Sequence, residues 1–224
     1  MDSSKEWRTK ANGYKPQPTC RIFASLLAAD KNNLEKEIDS IEPFVDGFHI
    51  DFMDGLFVSQ KYYDINLVKI TWLRTRKPIE VHLMMYKPEM CFEELLNEGV
   101  ERIIVHYEAS GIKTINAFED FAKGTCASLG FAYNPSTKIR HEPMYRAYTQ
   151  IMSVNPGKCG QKFDKKGLKK IKECVKYEHS VIAVDGGINA KTAKAAFRAG
   201  ADILVAGSYI FNSKDRIKAI ERLR

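Results

Sequence analysis

Eight short runs of apolar, mostly β-branched residues recur along this chain, and their spacing constrains its fold more than any other feature. They are RIFASLL (21–27), DGFHIDF (46–52), PIEVHLM (78–84), RIIVHY (102–107), SLGFAY (128–133), QIMSVN (150–155), SVIAVD (180–185) and DILVAG (202–207). Each has the length and composition of a strand. Between them lie amphipathic patterns of helical period, such as NNLEKEIDSI (32–41), PEMCFEELLNEG (88–99), KKGLKKIKECVKY (165–177) and AKTAKAAFRAG (190–200). Several close on glycine, as helix C-termini often do. Eight strand-plus-helix units in about 200 residues predict an α/β fold, a single closed (β/α)8 TIM barrel rather than an open doubly wound sheet. The fifth unit is the weakest, because TKIRHEPMYRAY (137–148) is a poor helix. Residues 1–19 fall outside the repeat and read as an arm; 20–224 read as the barrel domain.

Composition narrows the function classes. At 224 residues and 44% hydrophobic content, one substantial core is the default. The five cysteines, Cys20, Cys91, Cys126, Cys159 and Cys174, include no C-x-x-C pair, so neither a disulfide framework nor a thiolate zinc site is indicated. The formal net charge is +7, but Lys and Arg are scattered rather than gathered into a basic block, so nucleic acid is not an expected partner. A polar start and the absence of a membrane-length apolar stretch lead to the expectation of a cytoplasmic protein with no membrane partner.

The barrel supplies a geometric test for the acidic residues set among these runs, since in this architecture chemistry sits at the C-terminal ends of the strands. His49 and Asp51 are two apart on the second run and share one face. His82 lies near the end of the third run and Asp185 ends the seventh. A lone histidine on a strand is more often a satisfied core residue, and an aspartate at a strand end is commonly a helix N-cap. Burying all four without a cation or partner is costly, however, at about a few kcal/mol for each unsatisfied group. Two imidazoles and two carboxylates make a donor set suited to one divalent ion, whether zinc, iron(II), manganese or cobalt. Asp54, before Gly55, reads instead as a turn former.

Three small-residue turns form a second constellation: NPGKCGQKF (155–163), DGG (185–187) and AGS (206–208), after the last three runs. Glycines there let backbone N–H groups approach an anion, and the ends of strands seven and eight are the habitual phosphate site of such barrels.

The ordered set SLLAAD, HIDFMDG, VHLMM, NPGKCGQKF, VDGGIN and AGS resembles the ribulose-phosphate 3-epimerase family over about residues 20–224. The resemblance implies a metal-dependent barrel enzyme that inverts C3 of a phosphorylated ketose. It implies His49, Asp51, His82 and Asp185 as metal ligands, with Asp51 and Asp185 also exchanging the proton through an enediolate. It further implies substrate or phosphate contacts from Ser25, His82, Gly157, Lys158, Cys159, Gly160, Gly186, Gly187, Gly207 and Ser208. Met53, Met84 and Met152 match family methionines around the reacting carbons. The expected substrate is D-ribulose 5-phosphate, converted to D-xylulose 5-phosphate, and a homo-oligomer is expected. Another phosphoketose such as D-allulose 6-phosphate, or a sugar-phosphate-binding barrel without turnover, are the alternatives.

Two segments depart from the family pattern. LFVSQ (56–60) stands where HFVPN is usual, and PGKCGQ (156–161) where PGFGGQ is usual. Lys158 reads equally as a cation for phosphate or a solvent-facing side chain, and Cys159 as a small buried residue in preference to a reactive thiol. The four candidate ligands are untouched by these changes; substrate identity is what they affect.

Overall fold

A computed structural model describes residues 19–224, so the arm expected over 1–19 falls, apart from Thr19, outside the described residues. The strands are β1 (Arg21–Ser25), β2 (Gly47–Asp54), β3 (Lys61–Tyr62), β4 (Ile79–Met84), β5 (Arg102–His106), β6 (Ser128–Tyr133), β7 (Thr149–Met152), β8 (Ile182–Asp185) and β9 (Ile203–Ala206). The helices are α1 (Leu34–Asp39), α2 (Ile65–Arg74), α3 (Phe92–Asn97), α4 (Ile112–Phe121), α5 (Lys166–Lys176), α6 (Ala190–Ala199), α7 (Ser208–Phe211) and α8 (Arg216–Glu221). Each of the eight apolar runs carries one strand of a parallel sheet. The sheet closes because β1 pairs with both β9 and β2. The chain therefore folds as a (β/α)8 barrel.

Two details depart from a regular repeat. β3 is a two-residue antiparallel strand laid beside the far end of β2, with Met53 opposite Tyr62. Between β6 and β7 a single 3-10 turn, Pro143–Tyr145, stands where the other units carry an α-helix, in the segment whose apolar residues lack helical spacing. No helix among the described residues is long and apolar enough to cross a membrane.

Strand periodicity divides the core in two. Ile22, Phe48, Ile50, Phe52, Val81, Leu83, Ile103, Val105, Val184 and Leu204 point outward into the layer beneath the helices. Phe23, Ile104, Ala132, Tyr148, Ala183, Ile203 and Val205 form a separate apolar cluster inside the barrel. Two glycines make room for its largest rings: a Cβ on Gly47 would stand 2.6 Å from the Phe23 ring, and one on Gly130 would stand 2.6 Å from that of Tyr148. Toward the C-terminal ends the inward positions turn polar, with Ser25, His49, Asp51, Glu80, His82, His106 and Gln150 all buried.

Candidate active site

The period of two along β2 sends His49 and Asp51 into the barrel, and the β2–β4 register sets Asp51 opposite His82. Nε2 of His49 lies 3.2 Å from Oδ1 of Asp51 and 4.0 Å from Oδ2 of Asp185. Nδ1 of His82 lies 3.1 Å from the same Asp51 oxygen and 3.9 Å from the same Asp185 oxygen. One donor atom from each of the four residues falls within 4.8 Å of all the others. That spread suits ligands about 2 Å from a common ion, and two nitrogens with two carboxylates are a donor set that divalent metals accept. The remaining Asp51 oxygen, Oδ2, accepts a hydrogen bond from Ser25 Oγ at 2.8 Å.

Groups behind the two histidines orient them. Nδ1 of His49 donates to Oε1 of Glu80 at 2.8 Å, so Nε2 is the nitrogen that would present a lone pair to an ion between the aspartates. Glu80 is fully buried, and its Oε2 accepts from Tyr148 Oη at 2.9 Å and Arg102 Nη1 at 3.0 Å. His82 Nε2 lies 2.9 Å from His106 Nε2. Glu80 and His106 escaped notice in the sequence, although the signal was there: Glu80 stands two residues before His82, on the same face, and His106 is the next-to-last residue of the run RIIVHY.

The two aspartates hold their protons differently. Burial would raise Asp51, but the charge and hydrogen bond of His49, joined by His82, outweigh it and hold the carboxyl well below the usual range. Burial pushes Asp185 above its ordinary value; His49 opposes this, while the charges of Asp51 and Glu80 add to it. Paired carboxyls whose proton affinities are driven apart are the usual arrangement for acid and base work. A divalent cation held between them would lower both.

One cavity at the C-terminal ends of the strands is lined by Ser25, Asp51, Gly157, Lys158, Cys159, Gly160, Asp185, Gly186, Gly187, Gly207 and Ser208, together with Met84 and Met152. His49 and His82 are fully buried beneath it, and Met53 packs with Met84 and Val58 beside it. The three glycine turns thus meet on one side of the aspartates. Lys158 is exposed. Cys159 is exposed as well, at the edge of the cavity it helps line, which corrects its reading as a small buried residue. Partial desolvation, with the Asp51 and Asp185 charges, pushes its thiol up to about 11. Asp54 forms the expected turn, accepting from the backbone N–H groups of Leu56 at 2.7 Å and Phe57 at 2.8 Å. It also ties that turn to the segment after β4 through the N–H of Tyr86 at 2.8 Å.

Known proteins share this arrangement of sequence and fold. The barrel is similar to the tryptophan synthase A-subunit of Pyrococcus furiosus, with a TM-score of 0.66 at 14% identity, covering 92% of this chain and 97% of that one. At that identity the likeness concerns the fold alone. Over 90% of its length the chain is 36% identical to the ribulose-phosphate 3-epimerase of Chlamydia trachomatis, covering 90% of that protein. Over 91% of its length it is 34% identical to the enzyme of the same name in Bacillus subtilis, covering 98% of it. The family model described as ribulose-phosphate 3 epimerase matches residues 21–211, from β1 to the end of α7. The chain belongs to the ribulose-phosphate 3-epimerase family.

Proposed function

We propose that the protein inverts C3 of a phosphorylated ketose, with D-ribulose 5-phosphate and D-xylulose 5-phosphate as the pair, and that Asp51 and Asp185 move the proton. The observation that carries this reading is the convergence of His49, Asp51, His82 and Asp185 beside the three glycine turns. Inversion needs one group to take the C3 proton from one face of the substrate and another to return a proton to the opposite face. Asp51 on β2 and Asp185 on β8 reach the cavity from separate strands. Ser25 orients Asp51 through Oδ2, and His49 and His82 flank its Oδ1. Each positioned acid or base contributes about 10²–10⁴-fold.

His49, Asp51, His82 and Asp185 would hold zinc, iron(II), manganese or cobalt, which would supply Lewis-acid stabilisation of developing negative charge worth about several kcal/mol. Backbone N–H groups of the 157–160 loop, Gly186–Gly187 and Gly207–Ser208 would take the phosphate. Met84 and Met152, lining the same cavity, offer a polarisable apolar wall that keeps water from the reacting carbons.

A second substrate, such as D-allulose 6-phosphate, is favoured by one specific observation. The two segments that depart from the family pattern meet: a Cβ on Gly157 would stand 2.8 Å from Oε1 of Gln60 and 3.1 Å from Cβ of Val58. The two segments therefore pack against each other beside the cavity that Gly157 lines, through Gln60, which departs from the pattern, and Val58 and Gly157, which keep it. Assaying C3 epimerisation over a panel of phosphoketoses, with metal analysis of the same sample, tests both readings. Turnover of ribulose 5-phosphate with about one divalent ion per chain is the expected result. No turnover of any phosphoketose by metal-replete protein would leave only a binding role.

A further inference from the structure

We propose that His106 and Glu108 are positioning residues that fix the tautomer of His82 and so make its Nδ1 a metal donor. The proposal rests on the four-ligand reading given above and extends it to two residues outside the cavity.

The argument is one of tautomers. Nδ1 of His82 faces Asp51 and Asp185, at 3.1 and 3.9 Å. To bind a cation it must present a lone pair, so the ring proton must sit on Nε2. Nε2 of His82 lies 2.9 Å from Nε2 of His106, and both rings are fully buried. Two N–H groups cannot face each other at that distance, nor can two lone pairs form a bond. Nε2 of His106 must therefore accept, which places the His106 proton on Nδ1. That nitrogen lies 3.1 Å from Oε2 of Glu108, a carboxylate and an acceptor only. Glu108 thus fixes His106, which fixes His82, with one consistent set of proton positions.

The surroundings hold this relay still. Oε1 of Glu108 accepts from the backbone N–H of Asn134 at 2.8 Å. Lys170 donates to the carbonyls of Asn134 and Thr137, each at 2.6 Å, securing the segment that carries that N–H. The rings of His82 and His106 meet edge to edge, their planes 27° apart and their centroids 4.9 Å apart, and Phe57 covers His106 at 4.6 Å. His49 has the shorter equivalent, a direct bond from Nδ1 to Glu80. Partners of this kind behind a ligating histidine typically change metal affinity about 10–100-fold when removed.

The test uses the full chain loaded with zinc or cobalt(II), comparing wild type with His106→Leu, His106→Gln, Glu108→Ala and Glu108→Gln. Chelator competition gives metal affinity, and ring ¹⁵N signals of the zinc-loaded protein give the protonated nitrogen of each histidine. Wild type should carry its protons on Nε2 of His82 and Nδ1 of His106. His106→Leu and Glu108→Ala should bind metal about 10–100-fold more weakly and alter the cobalt absorption spectrum. His106→Gln, whose amide oxygen can accept from His82, and Glu108→Gln, which keeps an acceptor, should recover most of the loss. If His106→Leu does not fold, Glu108→Ala carries the same comparison from the edge of the barrel. Unchanged affinity and cobalt spectrum in folded His106→Leu or Glu108→Ala overturn the proposal alone. A wild-type chain that binds no divalent ion overturns the four-ligand reading and this one with it.

Discussion

A Cβ on Gly187 would stand 2.4 Å from the backbone nitrogen of Phe163, and Gly187 holds φ at +62°. The turn after β8 is thus pressed against the 155–163 loop, and no side chain fits between them. Gly207 differs: its nearest neighbour, the carbonyl oxygen of Ser25, would lie 3.2 Å from a Cβ, and its φ is negative. Gly187→Ala should displace the loop and lower stability by about 1–3 kcal/mol as well as raise KM. Gly207→Ala should mainly raise KM for the phosphoketose, by roughly tenfold, because it blocks backbone approach to the phosphate. Thermal unfolding and steady-state kinetics on both variants check the contrast.

Ser25→Ala removes the hydrogen bond to Oδ2 of Asp51. A bond to a charged acceptor is worth about 1.5–3 kcal/mol, so kcat/KM should fall roughly 10–100-fold. Metal content should stay close to that of wild type, since Oδ1 is the oxygen that faces both histidines. Kinetics with metal analysis on the same preparation decide it; unchanged kcat/KM would remove Ser25 from the site.

In D₂O the wild-type protein should place deuterium at C3 of the product epimer, because the returned proton comes from a group that exchanges with solvent. Asp185→Asn keeps a coordinating oxygen but cannot carry a proton as a carboxyl does. Epimerisation should fall by about 10²–10⁴-fold while some metal remains bound. Near-normal turnover in both Asp51→Asn and Asp185→Asn, with metal present, would refute two-aspartate transfer.

Glu80→Ala strands His49, Tyr148 and Arg102 at once in the barrel interior. Removing one partner of a buried charge pair costs about 3–5 kcal/mol, and denaturant unfolding of the metal-free protein should show a loss of that order. A midpoint equal to wild type would mean that the strand ends relax to solvate the stranded groups.

Stability should also depend on pH through His179, far from the metal ligands. Its Nδ1 lies 2.7 Å from Thr149 Oγ1 and its Nε2 lies 3.0 Å from His141 Nδ1. Burial, with the neighbouring His141 and Arg146, pushes it down to about 4. In the unfolded chain a histidine titrates near about 6.5, so between these values the unfolded state binds more protons. This contribution is fully present above about 6.5 and is lost as pH falls toward 4. The fall in urea midpoint between pH 7 and pH 5 should be smaller in His179→Gln than in wild type; equal falls would exclude the histidine as the source.

The barrel was legible in the sequence because its cause is local: each apolar run is short enough to be only a strand, and eight in succession leave few ways to bury both faces. The missing helix before β7 was legible for the same reason, as 137–148 lacks a helical stripe. His49 and Asp51 could be placed on one face because a strand has period two whatever surrounds it. Contacts between strands are another matter. That Asp51 meets His82, that His82 meets His106, and that Glu80 on β4 serves His49 on β2 all depend on the stagger between neighbours, and backbone hydrogen bonding sets that stagger only once the sheet closes. The two-residue β3 and the exposure of Cys159 are likewise decided by what packs beside them. Which face of a strand a residue takes follows from that strand's own period of two; which inward residues touch follows only from the closed sheet, because register is a property of strand pairs and not of any one strand.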